Sequence, residues 1–296
     1  MSEILVSVVI CTKNRAEYLS ACLEEVIKQA SEFSDVEIVV IDNASTDDTK
    51  ALVDKLFTNA TPPCRYVYEG RAGISNARNS GRAAARGGII AYTDDDAILH
   101  QGWLAKVRGH FLDSGGDYLA GKVELKLDSP LPGWFSEGLL WVIGKSPFGD
   151  KIKVLESESP ISANCAIRAA VFDAVGGYDP RISYYGEEVN FFYRIKEKGF
   201  ITLYRPDIVV DHHVPAERLT KAALREKAYL MGRGGAQVAV LPSVSLSGWL
   251  KLFAENLYRL CYVGCAWLSR PRFDREFTFR QHLGYMVQLL TKRQAG

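Results

Sequence analysis

Four short apolar runs, each followed by a segment with helical spacing, occupy about the first 110 residues. The runs span residues 4–12, 36–42, 64–69 and 88–93, and most of their residues are β-branched. Runs that are apolar on both sides are typical of strands buried on both faces, and strands that alternate with helices pair in parallel. The pattern therefore predicts an α/β fold with a mostly parallel central sheet flanked by helices.

Polar side chains cluster directly after three of these four runs. The clusters are Thr12–Arg15, Asp42–Asp48 and Asp94–Asp96. In open parallel sheets, ligands bind where the carboxyl ends of the strands meet. We therefore expect these three clusters to share one ligand-binding edge.

The three consecutive aspartates in "AYTDDDA" are the strongest chemical signal in the chain. Carboxylate oxygens at a strand end suit Mg²⁺ or Mn²⁺, which bind through one or two carboxylates while phosphate oxygens complete the shell. Such an ion would stabilise the negative charge on a departing diphosphate. The alternative is an ordinary polar connection that caps the next helix.

Asp42 and two arginines extend this edge. The carboxylate of Asp42 can accept a hydrogen bond from the ring N–H of uracil, thymine or guanine, or it can simply form a turn. Arg71 and Arg78 can pair with phosphate oxygens, although surface arginines are also common at such positions. Together these residues are consistent with a nucleotide site.

Two further pairs lie later in the chain. Glu187 and Glu188 follow Gly186 at a helix start, where either one can act as a general base or merely complement the helix dipole. His212 and His213 follow an apolar run, and either imidazole can bind a Mn²⁺-type ion or fill a structural position.

The rest of the chain is less regular. Residues 129–149 are rich in Pro, Gly and Trp and predict a long functional loop, helices are expected near 168–176 and 187–198, and residues 216–296 have a helical pattern. We therefore expect two halves of one domain, 1–115 for the nucleotide and 116–220 for the acceptor and catalysis, followed by a helical extension over 221–296. The apolar stretch within that extension is interrupted by charges and is too short to cross a bilayer.

Composition narrows the class of protein. Lys and Arg number 36 against 35 Asp and Glu, and this net charge of +1 argues against a nucleic-acid partner. The six cysteines are scattered without a CxxC pair, so we expect reduced thiols buried as small apolar groups. No basic segment precedes the first apolar run, so this run is expected to be a first strand rather than a signal peptide. We therefore expect a cytoplasmic location.

Six segments, taken in order, resemble family 2 glycosyltransferases: "VSVVICTKNR", "EIVVIDNASTDDT", "GISNARNSG", "AYTDDDA", "GGYDPRISYYGEEVNFFYRIKEKG" and "VVDHHVP". The resemblance covers residues 4 to about 220. It implies a GT-A fold, which is a Rossmann-like arrangement, and transfer of a sugar from a nucleoside diphosphate with inversion at the anomeric carbon.

The resemblance also implies roles for individual residues. Those implied for the donor and metal are Thr12, Asn14 and Arg15 in the nucleotide pocket, Asp42 on the base, Asp94 and Asp95 on the nucleotide and ribose, Arg78 and Asn79 on the diphosphate, and Asp96 with Asp94 and His212 on the metal. Those implied for transfer are Glu188 as the base, with Glu187 in reserve, and Asn164 at the acceptor. The family usually has Asp at the position of Glu188, so this chain departs from the pattern by one methylene there.

The sequence thus predicts a glycosyltransferase that depends on Mn²⁺ or Mg²⁺ and moves a sugar from a UDP- or dTDP-sugar to a glycan or lipid-linked hydroxyl acceptor. The C-terminal helices are expected to be amphipathic, either packed on the catalytic domain or in peripheral contact with the inner face of the plasma membrane. The alternatives are a nucleotidyltransferase, which should carry a glycine-rich loop after the first strand, and a binding module without activity.

Overall fold

The computed structural model describes residues 4–113, 116–240 and 245–293. Its parallel layer consists of four strands in the order β3-β2-β1-β4. Their bounds are β1 (Val6–Thr12), β2 (Val36–Asp42), β3 (Cys64–Tyr68) and β4 (Ile89–Asp94). All four coincide closely with the apolar runs of the sequence.

The same sheet continues with antiparallel strands on the far side of β4. The bounds are β5 (Ala97–Leu99), β6 (Tyr118–Leu127), β7 (Lys153–Val154), β8 (Asn164–Arg168) and β9 (Thr202–Val214). Among the described residues, the order is β3-β2-β1-β4-β8-β6-β9-β5, with β7 also paired to β9. The α/β fold class is confirmed, and the sheet is mixed: parallel in its first half and antiparallel in its second.

Helices flank or follow the sheet, and the two expected near 168–176 and 187–198 begin and end close to those limits. The helices are α1 (Ala16–Ala30), α2 (Thr49–Thr58), α3 (Ile74–Ala84), α4 (Trp103–Asp113), α5 (Ala169–Val175), α6 (Glu187–Glu197), α7 (Lys221–Val240), α8 (Leu246–Ser269) and α9 (Phe273–Arg293). Two 3₁₀ helices, Glu137–Ile143 and Ala216–Leu219, lie between them. The loop predicted over 129–149 thus contains a 3₁₀ helix.

Strand β1 is central to two apolar cores, one on each face of the sheet. Val6, Val8 and Ile10 contribute to one core and Val9 to the other, and all four are fully buried. Burying each such side chain contributes about 1.5–3 kcal/mol relative to exposure. The strand is apolar on both sides because both of its faces are covered.

The chain divides into two compact units. The first consists of Met1–Lys126, Gly144–Pro180 and Phe191–His213, and the second of Leu127–Ile143, Arg181–Asn190 and Val214–Gly296. The first unit contains nearly all of the sheet. The second contains helices α7, α8 and α9.

Helices α7 and α9 touch through their backbones. A Cβ on Gly232 would lie 1.8 Å from the carbonyl oxygen of Gln281, and one on Gly284 would lie 2.0 Å from that of Tyr229. In the same unit, the rings of Trp134 and Phe273 are 4.5 Å apart, so the segment before the first 3₁₀ helix packs on α9. Among the helices described, none is both long and apolar enough to cross a membrane.

The cysteines are free thiols, as expected, but they are not all buried. Cys22 and Cys165 are buried, and Cys11 and Cys64 are partly so. Cys261 and Cys265 are exposed on α8, so the expectation of burial was wrong for this pair. The reason is that their side of α8 faces solvent.

Candidate active site

The carboxyl ends of β1, β2 and β4 lie side by side. In the register of the sheet, Thr12 is opposite Asp42 on one side, and Cys11 is opposite Asp94 on the other. The polar clusters after these strands therefore meet at a single edge. This is the position at which parallel sheets bind ligands.

A tight turn at Asp95 and Asp96 links β4 to β5, and β5 pairs with β9. In that pairing Ala97 is opposite His212, and the backbone N–H of His213 donates to the carbonyl of Asp96 at 2.8 Å. Two segments more than 100 residues apart in sequence are thus joined beside the aspartates. Of the two adjacent histidines, His212 is the one brought to the carboxylates.

Asp95 and Asp96 are buried and held by Arg15. The guanidinium of Arg15 donates to Asp95 at 2.6 Å and to Asp96 at 2.5 Å, and the hydroxyl of Thr12 donates to Asp95 at 2.7 Å. Burial raises the pKa of Asp95 to about 7, against the opposing effects of Arg15 and Thr12. Burial also disfavours the charge of Asp96, but His212 and Arg15 outweigh it and hold the pKa of Asp96 below its ordinary value. Adjacent carboxylates thus differ in how readily they ionise.

Asp94, Asp96 and His212 form the one group of potential metal ligands found in the described part of the chain. Their ligand atoms all lie within 4.8 Å of one another, and the Nε2 atom of His212 is 3.4 Å from Oδ1 of Asp96. Neighbouring ligands of an octahedral ion at about 2.1 Å are about 3 Å apart, so this spacing fits a hard divalent cation. A Cβ on Gly144 would lie 2.8 Å from Nδ1 of His212, so glycine there leaves room for the imidazole.

Asp42 is positioned by two donors. The backbone N–H of Ser45 donates to one oxygen at 2.7 Å and the hydroxyl of Tyr66 to the other at 2.6 Å. Burial and the bond to Asp42 raise the pKa of Tyr66, which therefore stays a donor. Each oxygen accepts one of these two hydrogen bonds and can accept a second, so the carboxylate has lone pairs left for another N–H.

The two arginines predicted as phosphate ligands differ in exposure. Arg71 extends outward, with its side chain 73% exposed, and its guanidinium is held on two sides by Glu69. Hydrogen bonds from Arg71 and from Ser80 lower the pKa of Glu69 to about 2. Arg78, in contrast, is buried, donates to the hydroxyl of Ser162 and lies over the ring of Tyr178 at 5.1 Å.

Asn14 and Asn79 both link backbone segments. Asn14 has a left-handed backbone (φ 53°), which asparagine tolerates well, and its side chain accepts from the backbone N–H of Thr46 at 2.6 Å. This contact joins the loops that follow β1 and β2. The side chain of Asn79 donates to the carbonyl of Tyr178 and accepts from its N–H, both at 2.8 Å.

Asn164 lies in the interior of the first unit, and its predicted role at the acceptor stays a prediction. Its side chain is 1% exposed. The amide donates to the carbonyls of Lys122 and Ile208 at 2.8 and 2.9 Å, and the oxygen accepts from the indole of Trp103 at 2.8 Å. Both N–H groups of the amide and one lone pair of its oxygen are thus used inside the first unit, where Asn164 connects β8 to β6, β9 and α4.

Glu187 and Glu188 lie in the first turn of α6, as expected. Glu187 is buried, whereas Glu188 keeps partial contact with solvent. The helix follows Gly186, whose φ of 114° favours glycine. Of the two carboxylates, Glu188 is therefore the more accessible to a molecule arriving from solution.

The comparisons with known proteins agree with this geometry. The profile described as "Glycosyl transferase family 2" matches residues 7–176, which is more than half of the chain. The chain belongs to glycosyltransferase family 2. The resemblance expected from the sequence is confirmed.

The individual relatives of this glycosyltransferase share less than a third of its residues. It is 28% identical to "Glycosyltransferase AglE" of Haloferax volcanii over 262 residues, covering 86% of this chain and 80% of the relative. Among solved structures it resembles the mannosyltransferase PcManGT from Pyrobaculum calidifontis in complex with GDP-Man and Mn²⁺, with a TM-score of 0.64, 18% identity and coverage of 99% and 89% of the two chains. It also resembles S. aureus TarS 1-349 in complex with UDP-GlcNAc, with a TM-score of 0.59, 15% identity and coverage of 99% and 92%.

These structural likenesses establish that the glycosyltransferase has a GT-A fold. Sequence reasoning had missed several side chains that shape its site, among them Tyr66, Glu69, Trp103 and Gly144. Tyr66, Trp103 and Gly144 act across long separations in sequence, for example 61 residues between Trp103 and Asn164, whereas Glu69 holds the nearby Arg71 and Ser80. Their own surroundings in the sequence contain no signal beyond ordinary strand, loop or helix residues.

Proposed function

We propose that the enzyme transfers a sugar, with inversion, from a nucleoside diphosphate donor to a hydroxyl of a glycan or lipid-linked acceptor. A UDP- or dTDP-sugar is the favoured donor, and the transferred group is a hexose or deoxyhexose. The observation that carries the proposal is the cluster of Asp94, Asp96 and His212 at the carboxyl edge of the sheet. Among the described residues, it is the one group of three potential metal ligands that lie together, and it lies where such folds bind nucleotides.

The cluster suits Mn²⁺ or Mg²⁺, and we assign Asp96, with Asp94 and His212, to hold the ion. When bound there, the ion supplies positive charge that stabilises the diphosphate as it leaves. Arg15 holds Asp95 and Asp96 in place and balances part of their charge. In this proposal Asp94 and Asp95 also contact the nucleotide and its ribose.

Donor recognition is assigned to the neighbouring strand ends. Asp42 is proposed to accept the ring N–H of the base, since Tyr66 and Ser45 fix its carboxylate with lone pairs left over. Thr12, Asn14 and Arg15 line the nucleotide pocket, and Arg78 supports the diphosphate from its buried position. Asn79 supports it less directly, through the backbone of Tyr178.

Glu188 is proposed as the general base, with Glu187 as the alternative. A carboxylate that removes the proton from an acceptor hydroxyl makes the hydroxyl oxygen a stronger nucleophile as it attacks. Attack on the side of the anomeric carbon opposite the diphosphate inverts its configuration. The partial exposure of Glu188 supports this choice.

The finer proposals on organisation follow the sequence. Residues 1–115 are assigned to the donor, 116–220 to the acceptor and catalysis, and 221–296 to a helical extension. A cytoplasmic location with peripheral contact to the inner face of the plasma membrane would suit a lipid-linked acceptor.

A panel of UDP-, dTDP- and GDP-sugars tests the function. Thermal shift is measured with and without Mn²⁺, together with release of the nucleoside diphosphate. We expect stabilisation by a uridine or thymidine donor only with the metal, and slow diphosphate release that EDTA stops. Release of pyrophosphate from a nucleoside triphosphate would instead indicate a nucleotidyltransferase, and binding with no turnover over a broad acceptor panel would indicate a binding module.

The base is tested separately. Glu188→Gln should keep the donor affinity but lower turnover by about 10²–10⁴-fold, because only proton removal is lost. Glu187→Gln is the matched control. If Glu187→Gln loses turnover while Glu188→Gln keeps it, the base is Glu187.

A further inference from the structure

Helix α8 has two apolar faces, and only one of them is covered in the described structure. The covered face contacts α9: the rings of Trp267 and Phe279 are 5.5 Å apart, and the side chains of Asn256 and His282 meet at 3.4 Å. Gly264 lies on the same side, where a Cβ would meet the ring of Phe279 at 3.2 Å. This face explains why α8 packs within its unit.

The second face of α8 is exposed. Its residues recur three or four positions apart, which places them in one stripe at about 100° per residue. They are Leu250, Ala254, Leu257, Tyr258, Cys261, Tyr262, Cys265 and Leu268. Tyr258, Tyr262 and Leu268 are 71%, 67% and 79% exposed. A continuous exposed stripe of this kind marks an interaction surface.

The length and interruptions of α8 determine how it can meet a bilayer. The helix has 24 residues, or about 36 Å at about 1.5 Å per residue. Lys251, Glu255 and Arg259 interrupt it, and it is not apolar enough to span a membrane. A helix with an apolar stripe and a charged side lies in the plane of a membrane surface.

The charge of the chain is divided unevenly, although its total is near zero. Residues 221–296 contain 12 Lys and Arg against 4 Asp and Glu, whereas residues 1–220 contain 24 against 31. On α8 and just after it, Lys251, Arg259, Arg270 and Arg272 are exposed. Glu255 is also exposed and its carboxylate lies 4.0 Å from the Nζ atom of Lys251, so the border of the apolar stripe carries both signs with a net positive charge.

We propose that the exposed stripe of α8 docks on an anionic phospholipid bilayer. The basic residues beside it attract acidic headgroups, at about 1 kcal/mol for each Lys or Arg near the surface, while the leucines enter the boundary of the acyl chains. Tyr258 and Tyr262 suit this boundary because their rings are apolar and their hydroxyls are polar. A second copy of the chain fits less well, since a symmetric pair through this face would bring two strongly positive regions together.

The docking surface gives a reason for the lipid-linked acceptor of the proposed function, but its evidence is independent of that proposal. Vesicle binding needs neither donor nor metal. A failure of transferase activity and a failure of docking are therefore separate results.

The test is flotation of the full chain with two kinds of vesicle, pure phosphatidylcholine and phosphatidylcholine with about 30% phosphatidylglycerol. We expect binding to the anionic vesicles that weakens with salt, and little binding to the neutral ones. The double variant Leu257→Gln/Leu268→Gln should bind at least about tenfold more weakly. Leu112→Gln is the matched control, because Leu112 is 60% exposed on α4 and should leave binding unchanged.

A second measurement uses the two native thiols of the stripe. With Cys265→Ser, an environment-sensitive fluorophore on Cys261 should shift to the blue with anionic vesicles. Absence of both flotation and shift would overturn the proposal, as would equal binding by wild type and the double variant. Concentration-dependent dimerisation abolished by Leu257→Gln/Leu268→Gln, without vesicle binding, would also overturn it and assign the stripe to self-association.

Discussion

The carboxyl edge of the sheet and the helices α7–α9 are stabilised in opposite ways. At the edge, buried charges meet: Asp95 and Asp96 are held by Arg15. Between α7 and α9, backbones meet directly because Gly232 and Gly284 have no side chain. The first arrangement maintains charge that catalysis can use, at a cost in desolvation. The second contributes packing and no chemistry, so the two regions should respond differently to substitution.

Asp96→Ala should give the largest effect, and it should affect chemistry. Loss of the ligand removes several kcal/mol of stabilisation from the departing diphosphate, so turnover should fall at least about 10³-fold. Release of nucleoside diphosphate measures it, with circular dichroism to check the fold.

Asp211→Asn is the control on β9, the strand that pairs with β5 beside Asp96, since Asp211 is 39% exposed and pairs with His100 at 3.0 Å. We expect nearly normal turnover from it. Equal losses of turnover in both variants would mean that activity depends on the pairing of β5 with β9 as a whole rather than on Asp96.

Gly232→Ala should mainly affect stability. The new Cβ would overlap the carbonyl oxygen of Gln281, so α7 and α9 must separate, at a cost of about 3 kcal/mol or more. Urea denaturation followed by circular dichroism measures this cost.

Gly235→Ala on the same helix is the matched control. Its Cβ would lie 3.6 Å from the ring of Tyr285, an ordinary contact, and alanine improves helix propensity by about 0.5–1 kcal/mol. The two substitutions should therefore have opposite signs. Similar destabilisation by both would contradict close backbone packing as the cause.

His110 on α4 should make the stability of the first unit depend on pH. Burial, with the charges of Arg205 and Arg168, lowers the pKa of His110 from 6.5 to about 4. As the pH falls from 7 to 5, the unfolded chain therefore takes up a proton at His110 that the folded chain does not bind. The free energy of unfolding should decrease by about 1–2 kcal/mol over this range. His110→Phe should flatten this part of the profile, and an unchanged slope would contradict the assignment.

Tyr66→Phe should give the smallest effect, about fivefold weaker binding of UDP or dTDP. It removes one donor to Asp42, a change of about 1 kcal/mol, and leaves the fold intact. Calorimetric titration measures it. Tyr68→Phe, at the exposed end of the same strand, should bind the nucleotide with normal affinity. Equally weakened binding in both variants would contradict the role of Asp42 in recognising the base.

The sequence predicted the parallel half of the sheet because β1, β2 and β4 are covered on both faces and are therefore mostly apolar, and because the half-buried edge strand β3 belongs to the same alternation of strand and helix. It did not predict β6 or β8, because their antiparallel pairing joins positions far apart in the sequence, such as Tyr118 and Ile167. Asn164 was assigned to the acceptor from the family resemblance alone, and its buried hydrogen bonds to distant segments could not be read from the sequence. The aspartates were recognisable because three adjacent like charges repel unless something binds them.

In the C-terminal helices the pattern predicted helices but not which face is covered. Both sides of α8 carry apolar residues at helical spacing, and only the position of α9 distinguishes them. Cys261 and Cys265 were expected to be buried as small apolar thiols, and both are exposed. The contact of Tyr66 with Asp42 could not be predicted either, because a tyrosine within a strand is common whether or not its hydroxyl donates to a carboxylate.

Binding of Mn²⁺ in the presence of UDP, followed by electron paramagnetic resonance of the free ion, tests the assignment of the metal most directly. The account predicts that wild type and Asp211→Asn bind the ion alike, while Asp96→Ala and His212→Ala bind it at least about tenfold more weakly. Equal affinity in all four proteins would contradict a metal site at Asp96 and His212.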